Sequence, residues 1–299
     1  MPQAIGLRIY KLYFSKRGSR DGLDRADLPF DDFTLVKNFV ASQTVRTKPD
    51  GNERSWYFEQ PQKDDATHVT GLVAYGTSGF SSKLLDMRTN KKKYDRVDTD
   101  VEQIPLFFDF WLPPSGKFLM VALQSFGTRS CVDLIKGALR IFADDKQPNY
   151  MIRFKKLMPN DSKNALFGTH PVKRLTFVAG RASSDTAVNL VPFRPPVAVD
   201  IEISLRSARG NGLGNLSHIF KSVSHRDGVF EYEGMEFTKA QAEIRVGGKL
   251  RRISVFGQSS DAGTIDITDD VVLSSGHPTF QSLVKQANIL LANFYDLVK

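Results

Sequence analysis

Asp200 and Glu202 in "AVDIEIS", and Glu231 and Glu233 in "VFEYEG", are carboxylate pairs separated by one residue. On a β-strand that spacing puts both members of a pair on the same face. If two such faces met, four carboxylates would hold magnesium for phosphodiester cleavage. A restriction-type nuclease core also wants a lysine two residues after a strand acid. The nearest counterpart is Glu243-Ile244-Arg245, whose arginine does not readily exchange a proton. Carboxylates on outward strand faces are usually just solvated. A metal-dependent nuclease is therefore the alternative reading, and neither a bound metal nor a cofactor is expected.

Basic side chains give the leading reading. "EIRVGGKLRRI" carries Arg245, Lys249, Arg251 and Arg252 on two strand-like segments around a glycine pair. A three-residue Gly-Gly-Lys connection would set Val246 opposite Leu250, with Arg245 and Arg251 on the other face. Ile253 then rejoins the core face only through a bulge near Arg251-Arg252. Like charges facing each other across a ladder are mildly destabilising unless an anion or an acidic partner lies between them. Lys155 and Lys156 follow Arg153 on "NYMIRFKKLM", and Lys173 and Arg174 open "VKRLTFVAG". Lys91, Lys92 and Lys93 lie in "RTNKKKYDRVDTD", whose place between two strand-like segments predicts a hairpin connection. Lysines there keep the tip soluble and guard its edges, and Asp95, Asp98 and Asp100 weaken it as a phosphate groove.

Other chemistry is poorly supported. "RGNGLGN" has G-x-G-x-G spacing without the gap of a dinucleotide-binding loop, and the strand before it alternates instead of being apolar on both faces. The five histidines show no paired metal-ligand spacing. Cys131 is the sole cysteine, which excludes an intramolecular disulfide, and its place against an apolar helix face predicts a buried thiol. "YGTSGFSSK" lacks the order of a phosphate-binding P-loop.

Period-2 patterning dominates the elements that must position these groups. "AIGLRIYKLYF", "SWYFEQ", "THVTGLVAYG", "SSKLLDMRT", "QIPLFFDFWL" and "GKFLMVALQSF" read as strands. "FDDFTLVKNFVAS" has helical spacing, with Asp31 or Asp32 as its N-cap. "TRSCVDLIKGALRIFADD" repeats Val132, Ile135, Leu139 and Phe142 at helical intervals, and Ser130 with Asp133 resembles a capping box. "PTFQSLVKQANILLANFYDLV" predicts the longest helix, with Pro278 at its first position and an apolar stripe too wide for an isolated surface helix.

At 299 residues the chain suffices for two domains. Twenty-two phenylalanines predict sheet cores filled by aromatic side chains. Its formal charge of +8 is shared by both halves: residues 1–150 carry 22 basic and 19 acidic side chains, residues 151–299 carry 19 and 14. That is no basic tail; it favours salt-sensitive attraction to polyanions without specifying one. No apolar run approaches the ~18–20 residues of a membrane span. The first residues lack a signal peptide's apolar region, so a cytoplasmic location and no membrane partner are expected.

The succession through residues 73–131, "VAYGTSGFSSKLLDMRTNKKKYDRVDTDVEQIPLFFDFWLPPSGKFLMVALQSFGTRSC", joins a tyrosine-glycine strand end, a charged hairpin, an "IPLFF" strand, a "QSFG" strand end and a helix. It resembles the N-terminal part of uncharacterised bacterial proteins associated with mobile and phage-defence gene neighbourhoods. The resemblance implies a bacterial accessory protein and brings no catalytic motif.

These readings converge on an α+β protein with antiparallel sheets in two domains. Residues 1–160 form an antiparallel sheet plus helices; residues 161–299 form a curved antiparallel sheet closed by the long C-terminal helix packed on it. The expected function is a non-enzymatic component of bacterial antiviral defence that binds DNA, RNA or a partner protein within a complex through a basic sheet face; the alternatives are the metal-dependent nuclease and a purely protein-binding adaptor. Its contacts would be Arg245, Lys249, Arg251 and Arg252, assisted by Lys155, Lys156 and Lys91–Lys93.

Overall fold

The computed structural model describes residues 3–114, 116–157, 171–179, 201–208, 212–214, 230–232, 235–237, 239–246, 249–256 and 263–298. The fold is α+β, built mostly from antiparallel strands. In chain order the elements begin with β1 (Ile5–Lys16), α1 (Asp32–Ser42), β2 (Arg54–Phe58), β3 (Lys63–Asp64) and β4 (His68–Thr77). Next come β5 (Ser82–Leu85), β6 (Lys92–Arg96), β7 (Glu102–Trp111), β8 (Leu119–Phe126), β9 (Arg129–Ser130), α2 (Val132–Lys146) and β10 (Tyr150–Lys156). Then follow β11 (Arg174–Ala179), β12 (Ile201–Arg206), β13 (Phe230–Tyr232), β14 (Met235–Phe237), β15 (Lys239–Val246) and β16 (Lys249–Phe256). The last are β17 (Ile265–Asp266), β18 (Leu273–Ser274), β19 (His277–Pro278) and α3 (Phe280–Val298).

The chain divides into two compact units, each discontinuous in sequence. One comprises 12–154 with 272–283, the other 1–11 with 155–271 and 284–299. A single cut at residue 160 does not describe this, because both ends of the chain return to the second unit.

In the first unit, β2, β4, β7 and β8 are neighbours in one antiparallel sheet. β4 and β7 pair continuously from His68↔Trp111 to Thr77↔Glu102. Every residue of β8 is buried, so both its faces are covered. Aromatic rings make the connection from sheet to helices. Phe58 lies 4.7 Å from Phe108 and 5.5 Å from Phe39, and Phe39 meets Phe142 of α2 at 5.6 Å. Such tilted and edge-on pairs add to the stabilisation from burying the rings. Gly71 is required here, since a Cβ would stand 3.1 Å from the Phe108 ring and 3.2 Å from the Pro61 backbone.

Two helix starts follow from local chemistry. Asp31 caps α1, its carboxylate accepting the Phe33 amide at 3.0 Å. For α2 the N-cap is Cys131, which makes no side-chain cap, while Ser130 Oγ accepts the Val132 amide at 3.3 Å. The helix therefore starts one residue later than the expected Ser130–Asp133 capping box requires. Cys131 is buried, as the sequence suggests.

In the second unit the sheet runs β12–β11–β15–β16–β17–β1, every pair antiparallel. One face carries the buried Leu175, Phe177, Ala240, Ala242, Ile244 and Ile253. α3 buries Ala287, Leu290, Leu291 and Phe294. Its Gln286 accepts from Arg251 of β16 at 2.7 Å, which fastens the helix to the sheet. α3 begins at Phe280, not at Pro278: Pro278 lies in β19 opposite Leu273, and the Thr279 carbonyl accepts the Leu283 amide. Among the described residues no helix is long and apolar enough to cross a membrane.

Candidate nucleic-acid interface

The other face of the β12–β11–β15–β16 sheet is polar, and its side chains fall into transverse rows. Arg206 pairs with Arg174, Arg174 with Glu243, and Glu243 with Arg252. Because paired residues on neighbouring strands point to the same side, these four make one row across four strands. Arg206 and Arg252 are exposed, and Arg174 and Glu243 are half-buried. Glu243 Oε1 lies 3.6 Å from Arg174 Nη1 and 3.6 Å from Arg252 Nε. That separation is an ion pair without hydrogen-bond geometry. One carboxylate is thus shared between two guanidinium groups, with a third arginine next in the row.

Two residues along the strands comes a row with no formal charge: Ser204, Thr176, Gln241 and Ser254. Thr176 Oγ1 and Ser204 Oγ are 3.3 Å apart. Beyond it lie Glu202, Val178 and Lys239. On the opposite side Arg245 faces Leu250, and both are exposed. Among its described side chains the face therefore carries five basic and two acidic residues, and no aromatic ring.

The register corrects one sequence expectation. Val246 pairs with Lys249, leaving two residues between them instead of three, so Arg245 faces Leu250 and Arg251 faces Ile244. Arg251 consequently shares the core face with Ile253, and no bulge near Arg251-Arg252 is needed. The register shift lies at Ala240/Gln241, opposite Ser254 and Phe256. Arg251 is 2% exposed, with Nη1 2.8 Å from Asp270 and Nη2 bonded to Gln286. Burial lowers its pKa from the usual arginine range, and the Asp270 charge opposes that shift. Lys249 joins the same Asp270 at 2.7 Å. Of the four basic residues of this hairpin, Arg245 and Arg252 stand on the open face, whereas Lys249 and Arg251 are committed to Asp270.

The remaining sequence candidates lie elsewhere. Lys155 is exposed and Lys156 half-buried at the end of β10, outside the four strands of this face. Lys91, Lys92 and Lys93 belong to the first unit, at the β5–β6 hairpin that the sequence predicts. There Lys92 pairs with Asp95 at 2.6 Å and Lys93 with Asp86 at 3.0 Å. Asp86 also accepts the Arg88 and Thr89 amides. The Lys93 ammonium, followed by those two amides, holds its carboxyl down at about 2. Arg96 anchors the hairpin: it is buried, donates to the Thr77 carbonyl at 2.7 Å and lies 4.0 Å over the Phe80 ring.

Of the four carboxylates proposed for metal chemistry, Asp200 and Glu233 lie outside the described residues. Glu202 is exposed on β12, and Glu231 sits on β13, which among the described residues pairs with β14 in a separate sheet. Among the described residues no three His, Cys, Asp or Glu side chains gather as a metal site.

Two groups were not singled out in the sequence. Arg206 follows from strand alternation, since Glu202, Ser204 and Arg206 share one face. Its meeting with Arg174 depends on β11 lying between β12 and β15, a pairing that alternation does not encode. The second is the cluster of Asp109, buried in β7, whose Oδ1 accepts from Thr70 at 2.7 Å and lies 3.0 Å from His68 Nδ1. His68 stacks on Trp111, so the cluster ties β4 to β7.

No protein-family model matches the chain, and no curated protein is significantly similar to it in sequence.

Proposed function

We propose that this protein is a non-enzymatic nucleic-acid-binding component that uses the open face of β12–β11–β15–β16. The observation that carries the proposal is the in-register row Arg206–Arg174–Glu243–Arg252. Each arginine offers five donors in a planar fork suited to phosphate oxygens, and Glu243 engages only a small part of that capacity. With no ring among the described side chains of the face, base stacking contributes little there, and phosphate contacts supply the affinity. Binding to single-stranded nucleic acid at low ionic strength tests this. The wild-type chain binds and the Arg174→Glu variant binds far more weakly; absence of binding by the wild type contradicts the proposal. A setting in bacterial antiviral defence rests solely on the resemblance of residues 73–131.

A protein-binding role is favoured by a separate observation in the first unit. Seven of the exposed large apolar side chains among the described residues fall within residues 80–101, including Phe80, Leu84, Leu85, Tyr94 and the fully exposed Met87. Such a concentration on the β5–β6 hairpin and the residues flanking it marks an interaction surface. Co-purification of a partner that is lost in a Leu84→Ser, Met87→Ser variant supports this reading; retention of that partner contradicts it.

A further inference from the structure

We infer that the open face accepts a single strand rather than a DNA duplex, and RNA in preference to DNA; this rests on the nucleic-acid reading above. Four strands span three interstrand spacings of about 4.8 Å, a platform roughly 14 Å across. The major groove of B-DNA is about 12 Å wide and admits a helix or a two-stranded ribbon. The row from Arg206 to Arg252 is therefore too broad to enter a groove, and against a duplex it touches only the outer phosphates.

The neighbouring row gives the sugar preference. Ser204, Thr176, Gln241 and Ser254 lie two residues along their strands from the arginine row, about 7 Å away. Their groups both donate and accept hydrogen bonds and carry no charge. A strand whose phosphates follow the arginines presents its riboses to this row, where only RNA offers a 2′-hydroxyl, itself donor and acceptor. In DNA those protein groups gain nothing from the sugar. Ser204 is exposed and Thr176 half-exposed, so their mutual 3.3 Å contact exchanges readily for a ligand hydroxyl.

The test uses the full chain and three probes of one unstructured sequence: an RNA strand, its 2′-deoxy counterpart carrying deoxyuridine, and the corresponding DNA duplex. At one low salt concentration the RNA binds roughly 3- to 10-fold tighter than the deoxy strand, the scale of one or two net hydrogen bonds. The duplex binds weakest. A Thr176→Val, Ser204→Ala variant keeps the deoxy-strand affinity and loses the RNA advantage. Equal affinity for the RNA and deoxy strands, or a duplex bound as tightly as either, overturns this inference and leaves the nucleic-acid reading standing. Failure to bind any probe overturns both.

Discussion

Arg174 Nη1 stands 3.6 Å from Glu243 Oε1, on the strand next to its own. The same oxygen is equally far from Arg252, so the carboxylate partly neutralises two cations while hydrogen-bonding neither in good geometry. A phosphate approaching the row competes with it.

Replacing Glu243 with glutamine therefore tightens nucleic-acid binding. The expected gain is roughly two- to fivefold at low salt, the scale of an exposed ion pair. Fluorescence anisotropy titration measures it. A weaker complex would mean that Glu243 chiefly orients the arginines instead of competing for them.

Arg251 predicts the opposite pattern. Its side chain is buried, and alanine in its place removes the Nη2 donor from Gln286 and leaves Asp270 paired with Lys249 alone among the described residues. Losing hydrogen bonds to a charged group costs roughly 1.5–3 kcal/mol. The urea midpoint of Arg251→Ala drops accordingly, while the folded fraction retains wild-type affinity for nucleic acid. Arg252→Ala behaves in reverse, with stability nearly unchanged and affinity reduced.

Asp86 makes the β5–β6 turn pH-dependent. Its folded pKa of about 2 lies below the unfolded value of about 3.9, so it contributes stability that is fully present above the unfolded value. That contribution is lost as the pH falls from about 4 through about 2. Amide exchange at Arg88 and Thr89 reports it: protection declines across this window in the wild type. In Asp86→Asn protection is low and flat at every pH.

Much of the architecture was legible in the sequence because strand and helix periods leave a local record. The β5–β6 hairpin, the Asp31 cap and the apolar stripe of α3 all follow from neighbours within a few residues. The basic face was only half legible. Alternation marks Arg245 as outward, but the expected three-residue connection puts Arg251 there with it instead of Arg252, and the alignment of Arg174, Arg206 and Arg252 is set by pairings between distant segments. The orientation of Arg251 turned on a single residue of connection length between β15 and β16, and a one-residue change of register reverses every side chain. Asp270 and Gln286, which hold Arg251, are remote in sequence and carry no motif.

The salt dependence of single-strand binding tests the central claim most directly. For three or four phosphate contacts, the logarithm of the binding constant falls against the logarithm of salt with a slope of about −2 to −3. The account predicts such a slope for the wild type and a shallower one, with much weaker binding, for the combined Arg174→Ala, Arg206→Ala, Arg252→Ala variant. An unchanged slope and affinity in that variant would contradict it.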